Sequence, residues 1–329
     1  MVKAVIIGFG NVGRALLLEL LELREIRVVG LASSRGAVII RNRGDLEEAV
    51  KLAKNKYKLD RHSSFKERVG AVELASETGA ELAFIVIPPS YVSGEPNRSI
   101  YYGLLDNNVS IITADKTVLA REYTDIKSYA RERSLFLGYR ATVAAGTPVL
   151  DVARGLRGRS IERVRAVLNA TTNYILSLIE QGLSFSEAVD KSIKEELAEP
   201  DPRIDTHGWD PAAKLVITVS ELGYKVNLEE VERTPLETIG EDEVRKALRE
   251  GYRVKYIAEA IIGDKKYVVK PLKIPLTSRL AGANGHINIV EFWLENERVV
   301  IEGPAGPAWR TAKVMVTDAL EYIEKAKGT

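Results

Sequence analysis

Near the start of the chain, Gly8-Phe9-Gly10-Asn11-Val12-Gly13 has the spacing G-x-G-x-x-G. Glycines at those places permit a tight reversal, close approach of a pyrophosphate to the backbone, and close packing of a helix on a strand. Apolar Val2 to Ile7 precedes the turn, and Arg14 to Leu23, with leucines at helical spacing, follows it. A strand therefore leads through the turn into a helix whose free amides and dipole favour phosphate, and all six turn residues are candidate cofactor contacts. The plainer alternative is a glycine turn without a ligand, and the strand–turn–helix setting favours the dinucleotide. A second apolar run, Ile26 to Ala32, ends in Ser33-Ser34-Arg35 and carries no acid for a ribose 2′-hydroxyl. Two hydroxyls and a guanidinium suit a 2′-phosphate, so NADP is expected as cofactor, with NAD possible.

A second set of reactive groups lies past the middle of the chain. Lys214 follows Asp210 by four residues, which puts both on one helical face. An exposed ion pair is the ordinary reading of that spacing, and a solvated loop is the ordinary reading of the acid-rich stretch from Glu195 to Asp210. Other chemistries are excluded by composition. The chain has no cysteine, so disulfides, thiolate metal sites and thiol nucleophiles are absent. His62, His207 and His286 are widely separated and lack metal-ligand spacing, so no metal site is expected.

The elements that must hold these groups fall into two patterns. Up to about residue 138, strands at Val2 to Ile7, Ile26 to Ala32, Ala83 to Ile87 and Val109 to Thr113 alternate with helices, which implies a parallel sheet covered on both faces. Beyond it lie predicted strands at Ile161 to Leu168, Tyr267 to Pro271, His286 to Trp293 and Val299 to Ile301. Two helices stand between the first two of these. One starts at a capping box, Ser184-x-x-Glu187, and the other runs Pro211 to Leu222 with Asp210 as its N-cap. The fold class is α/β: an N-terminal Rossmann dinucleotide-binding domain over 1–138 and an α+β substrate-binding and dimerisation domain over 139–305. A C-terminal helix over 306–329 is expected to return to the first domain. With 47 basic against 46 acidic residues, no global field recruits nucleic acid or an anionic membrane. No apolar stretch reaches the ~18 residues of a spanning helix, and a cytoplasmic protein is expected.

The sequence resembles the homoserine dehydrogenases in their short form, without a fused kinase or regulatory domain. Besides the glycine turn, the resemblance rests on Thr113-Ala114-Asp115-Lys116, on Ala141 to Pro148 (ATVAAGTP) and on Asn169 to Leu176 (NATTNYIL). Its strongest carrier is Glu199 to Lys214, EPDPRIDTHGWDPAAK, similar to the family's E-x-D-P-x-x-D-x-x-G-x-D-A-x-x-K. Gly303-Pro304-Ala305-Gly306-Pro307 resembles a shortened form of the family's late glycine loop, which adds Gly306 to the cofactor contacts. The resemblance implies a homodimer that reversibly reduces L-aspartate 4-semialdehyde to L-homoserine, a step in threonine, methionine and isoleucine synthesis. It makes Lys116, Lys214 and Asp210 catalytic: one lysine, here assigned as Lys214, transfers the proton, while the other faces it across a cleft and binds the reacting oxygen or the substrate carboxylate. Glu199, Asp205 and Asp210 would supply negative charge for the substrate ammonium, and Thr171 a hydrogen bond. His207 has no catalytic counterpart in the motif and is read as structural or solvent-facing.

Four departures stand out. Arg140 occupies the place of a glutamate that helps the family hold a monovalent cation, and a guanidinium repels one. Asp115 replaces an asparagine and adds a carboxylate able to pair with Lys116. Ala170 replaces a glycine, and the late glycine loop is one residue shorter. Two alternatives stay open: a related amino-acid NAD(P) dehydrogenase with another substrate, and a non-catalytic NADP-binding homologue.

Overall fold

Val2–Ile7, rich in β-branched residues, forms β1, and its last four side chains are all buried, as in a strand covered on both faces. Six strands join it: β2 (Ile26–Ser33), β3 (Gly36–Ile39), β4 (Lys66–Glu67), β5 (Leu82–Ile85), β6 (Ser110–Thr113) and β7 (Leu137–Gly138). The sheet order is β4-β3-β2-β1-β5-β6-β7. Strands β2, β1, β5, β6 and β7 are parallel, and helices α1 (Asn11–Leu20), α2 (Arg43–Lys54), α3 (Ala71–Thr78), α4 (Asn97–Asp106) and α5 (Thr117–Glu132) lie between strands in the chain. This is the Rossmann-like sheet expected from the alternating pattern. One edge differs: β3 folds back antiparallel on β2 through Ser34 and Arg35, and β4 pairs antiparallel with β3. Gly36–Ile39 has four residues, too few to display a period.

In this computed structural model, which describes residues 1–195, 197–198 and 201–327, the chain forms two units. The first is Met1–Ala145 with Gly306–Thr329, and the second is Gly146–Ala305. The chain returns to the first unit because α1 and the C-terminal helix, Ala308–Lys327, share a core. Buried Gly13, Leu16, Leu17 and Leu20 form one stripe of α1, and Ala312, Met315, Ala319 and Ile323 form the facing stripe. Each fully buried leucine stabilises by about 1.5–3 kcal/mol.

The second unit contains α6 (Val149–Gly155), β8 (Ile161–Val167), α7 (Ala170–Glu180), α8 (Phe185–Lys194), α9 (Arg203–Thr206), α10 (Trp209–Glu221), β9 (Val231–Arg233), α11 (Glu241–Arg249), β10 (Tyr252–Ile261), β11 (Lys266–Pro275), β12 (Ile287–Leu294) and β13 (Arg298–Pro304). Its sheet, β13-β12-β8-β10-β11-β9, is antiparallel except where β9 meets β11. Val167, Ile257, Ile274 and Ile289 pack with Leu280 and Ala281 from the turn Arg279–Gly282. The expected capping box holds at Ser184 and Glu187. Helix α10 corrects the expected start: its cap is Gly208, at φ +80, and Asp210 lies in the first turn. A Cβ on Gly208 would sit 2.7 Å from the Tyr256 hydroxyl, so the backbone turns where only glycine fits, and Asp210 is released from capping.

Arg140 ties the start of the ATVAAGTP segment to the C-terminal helix. Its amide donates to Asp318 at 3.0 Å, and its guanidinium donates to Asp318 at 2.5 Å and to Glu321 at 2.6 Å. Asp318 is buried, and burial pushes its carboxyl up to about 6 even beside Arg140. A carboxyl raised in the fold favours the native state when neutral, so its penalty develops as the pH rises through about 6. Arg140→Met removes the compensating charge, so it should destabilise by about 3 kcal/mol at pH 8 and by much less at pH 5. Thermal unfolding at the two pH values measures this, and an equal deficit at both would reject the role given to Asp318.

Candidate functional site

The first unit offers a phosphate cradle at the end of β1. Gly8 has φ +108, its amide donates to Ala32 O at 2.9 Å, and an added Cβ would lie 2.4 Å from Val86 O. A Cβ on Gly13 would lie 2.0 Å from Gly8 O. These two glycines are therefore demanded by the fold itself. Gly10 is different: nothing lies within 4 Å of its missing Cβ, and it begins α1 without any side chain capping the first amides. Open backbone with unclaimed amides at a helix N-terminus fits a pyrophosphate. Phe9 packs into the core cluster, Val12 lies partly buried against it, and the Asn11 side chain accepts from Arg14 at 2.8 Å. Arg14 also donates to Phe9 O at 3.4 Å, which places a cation at the turn that sequence reading passed over, although it directly follows Gly13.

Ser33, Ser34 and Arg35 occupy the β2–β3 hairpin. The Ser33 hydroxyl donates to Gly36 O at 3.1 Å, while Ser34 and Arg35 are exposed. Arg35 makes a close ion pair with Asp60. An acid thus stands at this hairpin after all, supplied from a segment about two dozen residues downstream where the local pattern gave no sign of it. Gly306 packs closely, its missing Cβ 2.7 Å from Thr311 Oγ1 and 3.1 Å from Ala145 Cβ.

Lys116 stands immediately before α5. Its neighbour Asp115 turns inward, accepting from the Thr117 amide at 3.1 Å and hydroxyl at 2.8 Å, and burial pushes its carboxyl up. The hydrogen bonds from Thr117 and the charge of Lys116 oppose that rise. Behind it, Tyr101 donates to Asp115 O at 3.2 Å, and the Asn97 amide reaches Thr117 Oγ1 at 3.2 Å and Pro88 O at 3.0 Å. This buried polar net fixes the backbone that carries Lys116, and no local pattern announced it.

The second unit gathers the other predicted residues. Lys214 Nζ lies 2.6 Å from Asp210 Oδ2 and donates to Leu168 O at 2.6 Å. Asn169, the cap of α7, accepts from the Thr172 amide at 2.8 Å and gives its own amide to Asp205 at 2.5 Å and Asp210 at 3.0 Å. Burial, then the charge of Asp210, pushes Asp205 up to about 6. Thr171 donates to Leu197 O at 2.9 Å. Glu199 lies outside the described residues. His207 faces Glu237 at 3.0 Å on the surface, in keeping with a structural reading. Among the described residues no group of three or more His, Asp or Glu side chains could hold a metal ion.

The homoserine dehydrogenase family model matches residues 148–320, more than half of the chain. The chain belongs to the homoserine dehydrogenase family. A homoserine dehydrogenase of Sulfurisphaera tokodaii is 32% identical over 315 residues, 93% of each chain. An NAD(+)-dependent homoserine dehydrogenase of Pseudomonas canavaninivorans is 28% identical, covering 98% of this chain and 97% of its own. A hyperthermophilic archaeal homoserine dehydrogenase solved in complex with NADPH superposes with a TM-score of 0.81 at 26% identity, covering 98% of both chains. The cap Asn169, which the expected site omitted, proves to be the side chain that joins the acids.

The glycines separate fold from ligand. Gly10→Ala should leave the melting temperature within about 2 °C while weakening dinucleotide binding at least about tenfold, because the methyl enters only the ligand's space. Gly13→Ala, which meets backbone, should unfold or melt far lower. Calorimetry and NADPH fluorescence titration check both, and unchanged affinity in a folded Gly10→Ala protein would remove the cradle from this turn.

Proposed function

We propose that this protein is a homoserine dehydrogenase that interconverts L-homoserine and L-aspartate 4-semialdehyde, with NADP preferred and NAD usable. The observation that carries this reading is Lys214 enclosed between the Asp210 carboxylate and the Leu168 carbonyl, beside half-buried Asp205. A bound nicotinamide dinucleotide, held by Gly8 to Gly13, would supply the acceptor for the hydride that leaves the carbinol carbon of homoserine. Lys214 handles the proton: its Nζ takes the hydroxyl proton on oxidation and returns a proton to the carbonyl oxygen on reduction. Asp210 and the Leu168 carbonyl aim Nζ. Asp205, ionised above about pH 6, draws the substrate ammonium together with Asp210. Glu199 has the same task by its place in the motif, Thr171 hydrogen-bonds the substrate, and Lys116 binds the reacting oxygen or the substrate carboxylate.

The test is NADP-linked oxidation of L-homoserine by the purified protein at alkaline pH, beside aspartate, malate semialdehyde and diaminopimelate. Lys214→Ala should lower kcat by about 10²–10⁴-fold and leave NADP affinity within a few-fold. Near-normal turnover of a folded Lys214→Ala protein would return Lys214 to a plain ion pair, and better turnover of another substrate would select the related-dehydrogenase reading.

For the cofactor, Gly8 to Gly13 hold the pyrophosphate, with Gly306 as a further contact. Ser33, Ser34 and Arg35 receive the 2′-phosphate, and Asp60 competes with that phosphate for Arg35. Arg35→Ala should therefore weaken NADP selectively, while Asp60→Asn should tighten NADP several-fold and leave NAD nearly unchanged. Dissociation constants for both nucleotides decide it, and equal effects on both would refute the assignment.

The domain reading that goes with this function gives cofactor binding to 1–138 with the C-terminal helix and gives substrate binding and dimerisation to 139–305. A homodimer is supported by β13, a sheet-edge strand whose Val299, Val300 and Ile301 are only half-buried. No helix among the described residues is long and apolar enough to cross a membrane. A cytoplasmic biosynthetic enzyme of threonine, methionine and isoleucine synthesis, acting on a small amino acid, is the setting that fits.

A further inference from the structure

Strand β10 carries two cations, Arg253 and Lys255, whose alternation puts them on one face. Both reach α7 and the loop after Arg279–Gly282. Arg253 donates to Glu180 at 3.1 Å, to Ala281 O at 3.3 Å and to Asn284 Oδ1 at 3.1 Å. Lys255 donates to Asn173 Oδ1 at 2.6 Å and closely to Ala283 O, and the Asn173 amide in turn donates to Gly285 O at 3.2 Å. Lys255 is 3% exposed. Its ion pairs among the described residues include no carboxylate, so a full charge is buried on two neutral oxygens, an arrangement that packing alone would not favour. Asn173 is one helical turn from Asn169, which holds Asp205 and Asp210, and Thr171 lies between the two.

We propose that Lys255 is a positioning residue for the substrate: its amino group bolts the first turn of α7 to the loop at residues 283–285, and substrate binds well only while that bolt is in place. This rests on the reading of Thr171, Asp205 and Asp210 as substrate contacts. Burial pushes Lys255 down to about 8, with Arg253 adding to the fall and Glu180 opposing it. The other charges of neighbouring elements are engaged or distant in role. Glu259 is held by Arg163 and Arg165, Glu243 by Lys273, and Arg245 by Glu241 and Asp242. Across from Lys255 on β11 stands apolar Leu272, with Lys270 beside it opposite Ile257, and Arg279 and His286 are exposed. Because burial pushes this amine down, losing the proton favours the bolted state, and the neutral amine keeps two N–H groups for the Asn173 and Ala283 oxygens. Removing the amino group itself is what loosens the helix turn and the loop.

The experiment compares the full-length wild-type protein with Lys255→Met, a buried apolar replacement of similar length. Hydrogen-exchange protection is read in peptides covering 170–176 and 281–287 at pH 7 and 9, and homoserine kinetics are read over pH 6.5–9.5. In the wild type, protection at pH 9 should be no lower than at pH 7, because the bolted state holds the neutral amine at least as well as the ammonium. In Lys255→Met, protection should be low and KM high at both pH values, with kcat and NADP affinity within about twofold of wild type. Protection that is the same in both proteins overturns the proposal, as does a low, unchanged KM in Lys255→Met. If that variant does not fold, Asn173→Ala, which removes the helix end of the bolt, takes its place with the same expected loss of protection and rise in KM. If the wild type does not oxidise homoserine, the proposed function falls, and hydrogen exchange still decides the bolt.

Discussion

Asn169 resolves the hardest electrostatic demand in the second unit. Asp205 and Asp210 approach one another in a buried setting, where two carboxylates repel and each is costly to desolvate. One amide group donates to both, and its carbonyl end caps α7 through the Thr172 amide and hydroxyl. Every polar atom of that side chain is thereby used. Lys214 adds the positive charge that balances Asp210, and the Leu168 carbonyl takes a second of its protons. The cap, the acids and the ammonium form one network, so displacing any member leaves another buried and unsatisfied. Rigidity of this kind is what a proton-transfer group needs, because its geometry must exist before substrate arrives.

The position of Asp210 depends in turn on Gly208. A left-handed residue starts α10 without a side-chain cap, which leaves the Asp210 carboxylate free to point at Lys214 one turn later. An aspartate doing the capping itself would bind backbone amides and be lost to the site. The sequence D-P at a helix start reads naturally as a cap followed by proline, and that reading was wrong here by two residues. The glycine two places earlier was the informative one, and only the nearby Tyr256 hydroxyl shows why.

Other features sort by how local their causes are. The glycine turn, the alternation of strands and helices in the first unit and the capping box at Ser184 arise from local patterns that were readable in the chain. The Asp210–Lys214 spacing was readable as well, whereas the convergence of Asp205 and Asn169 on it depends on where α7 and α9 pack. Asp60 beside Arg35, Arg14 at the phosphate turn, the polar net behind Lys116 and the Lys255 bolt join residues far apart in the chain. No periodicity encodes such pairings. The short β3 hairpin was missed for a different reason, since four apolar residues fit a strand and a loop equally well.

Arg140 shows how a departure from family pattern is absorbed. At the place where the family resemblance leads to a glutamate, this chain has a guanidinium, and the two carboxylates that face it belong to the C-terminal helix. Gly138, just before it, has its missing Cβ position within 2.8 Å of Asp318 Cβ, so the helix comes close enough for the arginine to reach both acids. An internal cation on a fixed side chain needs no site kept open to solvent ions, and its hydrogen bonds are directional where those of a bound ion are not. The consequence reaches beyond the local pair. The C-terminal helix is joined to the rest of the first unit by an apolar stripe on α1 and by this ionic clasp at the end of the sheet, two contacts of different physical kind. The apolar stripe sets where the helix lies, and the clasp fixes its register along the axis.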